Sequence, residues 1–177
     1  MIIVRDDLIP LHLQDYLETL CLGADEINAT VPFTSKYEPT AIKPGEEVPI
    51  SFQHVLKSSV YFSDFYPNFS KIPQIVCSAY NLNLIDIIQA RVFITVPHKT
   101  SQKYYDPHVD LPEPHKALIY YVNDAYGDTA FFDNEGNIVE TVSPKKGRIV
   151  FFDGEHLHGG GISKSGPRCI VNYDIRL

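Results

Sequence analysis

The chain has no tryptophan, one methionine and only three cysteines among its 177 residues. Cys21, Cys77 and Cys169 are scattered, odd in number and without a C-x-x-C pair. That pattern excludes a disulfide framework and a cysteine zinc site, and it fits small buried apolar groups in a reducing compartment. Basic residues are scarce as well: 15 Lys and Arg stand against 22 Asp and Glu, a formal net charge of −7. Residues 1–88 hold 5 basic and 11 acidic side chains, whereas residues 89–177 hold 10 and 11. Neither half has the cationic excess that phosphate backbones or anionic membrane surfaces require, so neither nucleic acid nor a membrane is an expected partner. No run of roughly 18 apolar residues occurs, so no spanning helix is expected. The start, Met1-Ile2-Ile3-Val4-Arg5, lacks the basic and apolar regions of a signal peptide, and a soluble cytoplasmic protein is the expectation.

At roughly 150 residues per domain, the length predicts one domain over residues 1–177. Hydrophobic residues make up 44% of the chain, enough for a sizeable core. Leu13, Leu17, Leu20 and Cys21 recur at helical spacing, with Pro10 before them and Gly23 after. Residues 34–50 carry three prolines and read as a surface loop. A second helix is predicted over about 69–82, with Ile72, Ile75, Val76 and Ala79 as its buried stripe and Pro73 in its first turn. From residue 87 the texture changes to short runs rich in Ile, Val, Tyr and Phe. Strands are predicted at about 87–96, 104–110, 116–122, 128–132, 137–142, 147–152, 156–160 and 168–175. Eight short strands suggest a double-sheet jelly roll, mainly β, with the N-terminal helices packed on one outer sheet face. Residues 1–86 form a helical and loop layer in this reading, and residues 87–177 form the core.

The chemistry-bearing stretch is Tyr104-Tyr105-Asp106-Pro107-His108-Val109-Asp110. In a strand, residues two apart share a face, so His108 and Asp110 can point into one cavity. His158 lies 48 residues beyond Asp110, before Gly159, Gly160 and Gly161, and Arg168 follows ten residues later. Two imidazoles and a carboxylate can hold Fe(II) on one face and leave the opposite face open to ligands. A lone arginine at the far end of the pocket can clamp a carboxylate through paired charge-assisted hydrogen bonds. The three glycines let the backbone crowd the metal.

Five pieces in order carry a resemblance: Tyr105-x-x-His108-x-Asp110, the run Leu118 to Asn123, Gly127-Asp128-Thr129, the run Gly147 to Phe152, and His158 with Arg168. The pattern resembles the 2-oxoglutarate- and Fe(II)-dependent oxygenases, in their prolyl-4-hydroxylase-like branch, over about residues 91–176. The resemblance implies a double-stranded β-helix and a dioxygenase that uses Fe(II), 2-oxoglutarate and O2. It implies hydroxylation of a C–H bond in a peptidyl-proline, a free amino acid or another small molecule, with succinate and CO2 as co-products. By the same resemblance His108, Asp110 and His158 are the iron ligands, and Arg168, Tyr121 and Thr129 bind the cosubstrate. Tyr105 matches a tyrosine near the substrate entrance. The family tyrosine expected just before Pro97 is Val96 here, so its hydroxyl contact must come from elsewhere.

His156 competes with His158 as a ligand; the interval to Arg168 and the glycine run favour His158. His115, in the turn Leu111-Pro112-Glu113-Pro114, reads as a solvent-facing loop residue able to touch substrate at the pocket rim. Lys116 is an alternative anion clamp, but its strand phase is opposite to that of Tyr121. Asn172 and Asp174 share the face of Arg168 by alternation, which places Asn172 in the pocket. Two other readings stand beside the oxygenase. One is a non-catalytic, cupin-like metal-binding or structural jelly roll, since His156-x-His158 is half of a cupin motif. The other is a nucleobase-dealkylating oxygenase, whose N-x-T-x-R ending fails here at Asp174.

Overall fold

The structure, a computed structural model, describes residues 1–24, 27–37, 45–47 and 50–177. Most of the predicted loop at 34–50 therefore lies outside the described residues. Among the described residues, ten strands form two antiparallel sheets. The larger has the order β1-β8-β5-β10-β4-β3-β2, and the smaller the order β7-β6-β9. The strands of the large sheet are β1 (Ile2–Arg5), β2 (Thr34–Tyr37), β3 (Ile50–Lys57), β4 (Asp86–Thr95), β5 (Lys116–Tyr121), β8 (Ile149–Asp153) and β10 (Arg168–Arg176). Those of the small sheet are β6 (Thr129–Phe132), β7 (Ile138–Val142) and β9 (His158–Gly160). The expected jelly-roll architecture is what forms.

Strict alternation divides the large sheet into two faces. On β5, Leu118 and Tyr120 join a core cluster with the helices, while Ala117, Ile119 and Tyr121 join a second cluster between the sheets. On β8, Ile149 and Phe151 face the helices, and Val150 and Phe152 face inward. On β10, Cys169, Val171, Tyr173 and Ile175 are buried under the helices, which leaves Arg168, Ile170 and Asn172 for the interior. The three cysteines are free and buried, as their composition suggested.

The helices α1 (Leu11–Leu22), α2 (Tyr66–Phe69) and α3 (Lys71–Ala79) cover the outer face. α1 follows Pro10 and ends at Gly23, where φ is 79° and a Cβ would lie 2.5 Å from the Ile27 carbonyl oxygen. The buried stripe of α3 is Ile72, Pro73, Val76 and Cys77. Ala79 is exposed, one turn too late for the sheet to reach, and Cys77 takes its place. The Tyr173 hydroxyl donates to the Phe69 carbonyl at 2.9 Å and ties the helical layer to the central strand.

Two expectations about residues 1–86 change. The segment is not only helix and loop, because β1 pairs with β8 at one edge, and β3 and then β2 extend the sheet beyond β4 to the other. These strands are short or half-exposed, so their apolar alternation is too thin to read without a partner. The charge asymmetry also has a structural use: Asp6 binds Arg148 and Lys145, and Lys146 binds Asp15 and Glu18. The acidic N-terminal segment thus meets the basic turn before β8. Among the described residues no helix is long and apolar enough to cross a membrane.

Tyr173→Phe removes the donor to the buried Phe69 carbonyl, so a loss of about 1 kcal/mol in unfolding free energy is expected from urea titration.

Candidate metal and cosubstrate site

The segment 104–110 is not the regular strand expected. It is extended but meets its neighbour only through isolated bridges, Tyr104 with Gly161 and His108 with His158. Pro107 interrupts any ladder by removing an N–H donor. The bridges suffice. The His108 N–H donates to the His158 carbonyl and the His158 N–H to the His108 carbonyl, each at 3.0 Å. This reciprocal pair sets the two imidazoles 4.9 Å apart between ring centroids.

Ligand atoms of His108, Asp110 and His158 lie within 4.8 Å of one another. Nε2 of His158 is 3.3 Å from one Asp110 carboxylate oxygen, and Nε2 of His108 is 3.9 Å from the other. Each Nδ1 is turned to a backbone carbonyl two residues earlier, Asp106 for His108 and His156 for His158, at 3.0 Å. A Nδ1–H donor there leaves Nε2 with a lone pair facing the carboxylate, the usual arrangement of a metal-binding imidazole. Burial works to raise the Asp110 carboxyl. The neighbouring His158, Asn172 and His108 outweigh it and lower Asp110 to about 2. Its buried Oδ2 has no hydrogen-bond donor. An ionised carboxylate with an orphaned oxygen beside two oriented imidazoles fits a first-row divalent cation such as Fe(II).

The triad opens on a cavity of about 470 Å³ between the sheets. Phe93, Val109, Ile119 and Ile170 give it apolar walls, and Ser51, Thr95, Tyr105, Thr129 and Asn172 give polar points. Arg168 lines it and is almost wholly buried. Its Nε donates to the Gly127 carbonyl at 2.8 Å and one terminal nitrogen to Thr129 Oγ1 at 2.9 Å. Thr129 Oγ1 lies 2.6 Å from the Tyr121 hydroxyl, which donates to the Val142 carbonyl at 3.2 Å. Burial pushes the Tyr121 phenol up, which keeps it a donor. The guanidinium stacks over the Tyr121 ring at 5.6 Å.

The expected residues divide as follows. His108, Asp110, His158, Arg168, Thr129, Tyr105 and Asn172 all line the cavity. Tyr121 does not; it lies beneath the arginine and holds it. His115 is not solvent-facing and does not line the cavity. Its Nδ1 turns to the Glu113 carbonyl, and its Nε2 lies 3.2 Å from Asp174 in a contact where both side chains are 1% exposed. Gly154 makes this possible, since a Cβ there would fall 2.2 Å from the His115 ring. His156 precedes β9 and offers its carbonyl to His158 Nδ1, and it is His158 that clusters with His108 and Asp110. Lys116 pairs with Asp153 away from the cavity. The glycines crowd neighbouring loops rather than the metal: a Cβ at Gly159 would meet the Tyr105 carbonyl, and one at Gly161 the Asp128 backbone. Val96 does not line the cavity, but Thr95 does, with a buried hydroxyl that has no hydrogen-bond partner. Sequence reading missed Thr95 and Arg91, which also lines the cavity, because the phase of β4 is visible only once β10 pairs with it.

A jelly roll with a His-x-Asp…His triad facing an arginine-ended cavity is the architecture of a non-haem iron oxygenase. Residues 94–175 match the family model of the 2OG-Fe(II) oxygenase superfamily. The match spans a little under half of the chain, and the family is one of enzymes that use Fe(II), 2-oxoglutarate and O2. Solved structures agree in fold. A Pseudomonas putida prolyl-4-hydroxylase aligns over 99% of this chain and 91% of its own, at 16% identity and a TM-score of 0.64. A 2OG-Fe(II) oxygenase family oxidoreductase from Burkholderia pseudomallei aligns over 98% and 84%, at 10% identity and a TM-score of 0.73. The non-haem α-ketoglutarate-dependent epimerase SnoN of nogalamycin biosynthesis aligns over 99% and 77%, at 15% identity and a TM-score of 0.67. No curated protein matches the chain in sequence.

Two outcomes are expected here. Gly161→Ala forces the 127–128 backbone away from Arg168, so 2-oxoglutarate affinity, read by calorimetry, falls with little change in metal affinity. Burial first, and then the Asp110 charge, push the Asp174 carboxyl up to about 6 from 3.8. Between those values the folded state binds the proton more tightly than the unfolded chain, so the Asp174 contribution to stability declines as pH rises from about 4 to about 6. The stability of the wild type relative to Asp174→Asn, read by urea unfolding, is expected to fall over that window and level off above it.

Proposed function

We propose that the protein hydroxylates a C–H bond of a peptidyl-proline, a free amino acid or another small molecule, releasing succinate and CO2. The observation that carries this reading is the buried Arg168 facing the triad across one cavity, with Thr129 and Tyr121 locking its plane. With Fe(II) and 2-oxoglutarate bound, such a site supplies an oxidant able to cleave an unactivated C–H bond.

The chain's own residues do the positioning. His108, Asp110 and His158 would hold the metal, with the cavity beside them open to ligands. The low value of Asp110 keeps it ionised at neutral pH, so it contributes charge as well as an oxygen donor. Arg168 pairs with the distal carboxylate of 2-oxoglutarate. Its two fixed hydrogen bonds aim the guanidinium before the cosubstrate arrives, which reduces the ordering cost of binding. The free Thr95 hydroxyl, opposite Arg168 in the β10–β4 ladder, takes the part of the tyrosine absent at Val96. The apolar walls exclude water from the reacting carbon. A peptide or small molecule suits a cavity of this size better than nucleic acid, and the net charge of −7 supports that choice. A buried, preset arginine clamp has no use in a non-catalytic cupin-like module.

Anaerobic titration with Fe(II) and then 2-oxoglutarate tests the reading through the visible charge-transfer absorption of the ternary complex. The wild type is expected to develop the band. His108→Ala and His158→Ala are expected to lose metal binding and the band together. Arg168→Gln is expected to weaken 2-oxoglutarate roughly ten- to a hundredfold while keeping the metal. A wild type without the band, indistinguishable from His108→Ala, would overturn the proposal.

A further inference from the structure

The cavity holds a second guanidinium. Arg91, Phe93 and Thr95 on the inward face of β4 all line it. The ladder sets their heights: Thr95 pairs with Arg168, whereas Arg91 pairs with Asn172, which lines the cavity together with Asp110. Four strand residues, roughly 13 Å, thus separate the two arginines along the sheet. Arg168 stands at the cosubstrate end, and Arg91 stands level with the metal ligands.

Arg91 is held in place from behind. It donates to Gln89 Oε1, Gln89 Nε2 donates to Asp174 at 2.6 Å, and Asp174 faces His115. Among the described residues it forms no ion pair, in contrast to Arg5 with Asp7 and Arg148 with Asp6. Asp174 reaches Arg91 only through Gln89 and by charge, so the half-buried guanidinium, without a direct ion pair, keeps donors for a group that arrives later. The metal and Arg168 already account for both carboxylates of 2-oxoglutarate. A second planar fork at metal height matches one more carboxylate.

We infer that Arg91 anchors a carboxylate of the primary substrate, which is a small carboxylic acid of amino-acid size rather than a neutral peptidyl residue. The inference rests on the oxygenase reading above and sharpens its substrate class. Anchoring the acid group level with the triad presents a carbon a few bonds from that group to the iron, so Arg91 also decides which C–H bond reacts. The cavity volume of about 470 Å³ suits a small molecule.

The test uses the full chain loaded anaerobically with Fe(II) and 2-oxoglutarate, with calorimetric titration of a panel of probes. The panel contains free amino acids and small carboxylic acids, each beside its primary amide, and a prolyl peptide with both ends blocked. Acids are expected to bind and their amides not. Arg91→Gln is expected to weaken the acids roughly ten- to a hundredfold, and Arg91→Lys to recover part of that loss. Thermal melting of both variants checks the fold. Equal binding of acids and amides, or a blocked peptide bound equally by wild type and Arg91→Gln, would overturn the inference. The charge-transfer band of the same samples separates the two ideas. Its absence in the wild type strikes the oxygenase reading itself, and its presence without acid preference strikes only the role of Arg91.

Discussion

Two backbone hydrogen bonds between His108 and His158 hold the site together. The segment that carries His108 and Asp110 contains Pro107 and has no regular ladder. Without that reciprocal pair it would be one more loop beside the small sheet. With the pair, the imidazoles are locked at a fixed spacing and the carboxylate between them is committed to a polar role. The backbone carbonyls of Asp106 and His156 finish the arrangement by claiming Nδ1 of each ring. A ligand set built this way depends on main-chain geometry rather than on flexible side chains, and geometric precision is what an open-faced metal site needs.

The remainder of the fold serves to bring a buried cation within reach of that set. Arg168 opens β10, whose other face is sealed by the helices through Cys169, Val171 and Tyr173. Among the described residues no carboxylate pairs with Arg168, and Gly127, Thr129 and the Tyr121 ring stabilise it instead. Such an arrangement is costly to bury and useful only if an anion completes it. The relay of Arg91, Gln89, Asp174 and His115 repeats the theme at metal height. The interior of this acidic protein thus sets two guanidinium groups, Arg91 and Arg168, along the wall that β4 and β10 give the cavity.

Legibility in the sequence followed the strength of local pattern. Apart from 104–110, the strands after residue 86 were readable; in the large sheet both faces are buried and the apolar runs are dense, as in Leu118 to Tyr121. The edge strands β1 and β2 were not, because a four-residue strand leaves little trace in its own alternation, and β1 borrows its partner from more than 100 residues away. The triad and Arg168 stood out as unusual residue types at fixed spacing. His115 was misplaced because a proline-rich turn looks exposed, whereas the missing side chain at Gly154, 39 residues later, opens the space that buries it.

The sequence by itself determined the chemistry available: a nitrogen and oxygen ligand set, one arginine at the right interval, and no cysteine or nucleophile to compete. These are properties of residue identity and order, and they survive any uncertainty in pairing. Only the tertiary structure decided which residues share the cavity. Tyr121 moved from ligand contact to support, Thr95 replaced Val96 as the available hydroxyl, and Arg91 appeared at the level of the metal. Each of these turns on the register of β4 against β10, where a shift of one residue would exchange every side chain between cavity and core.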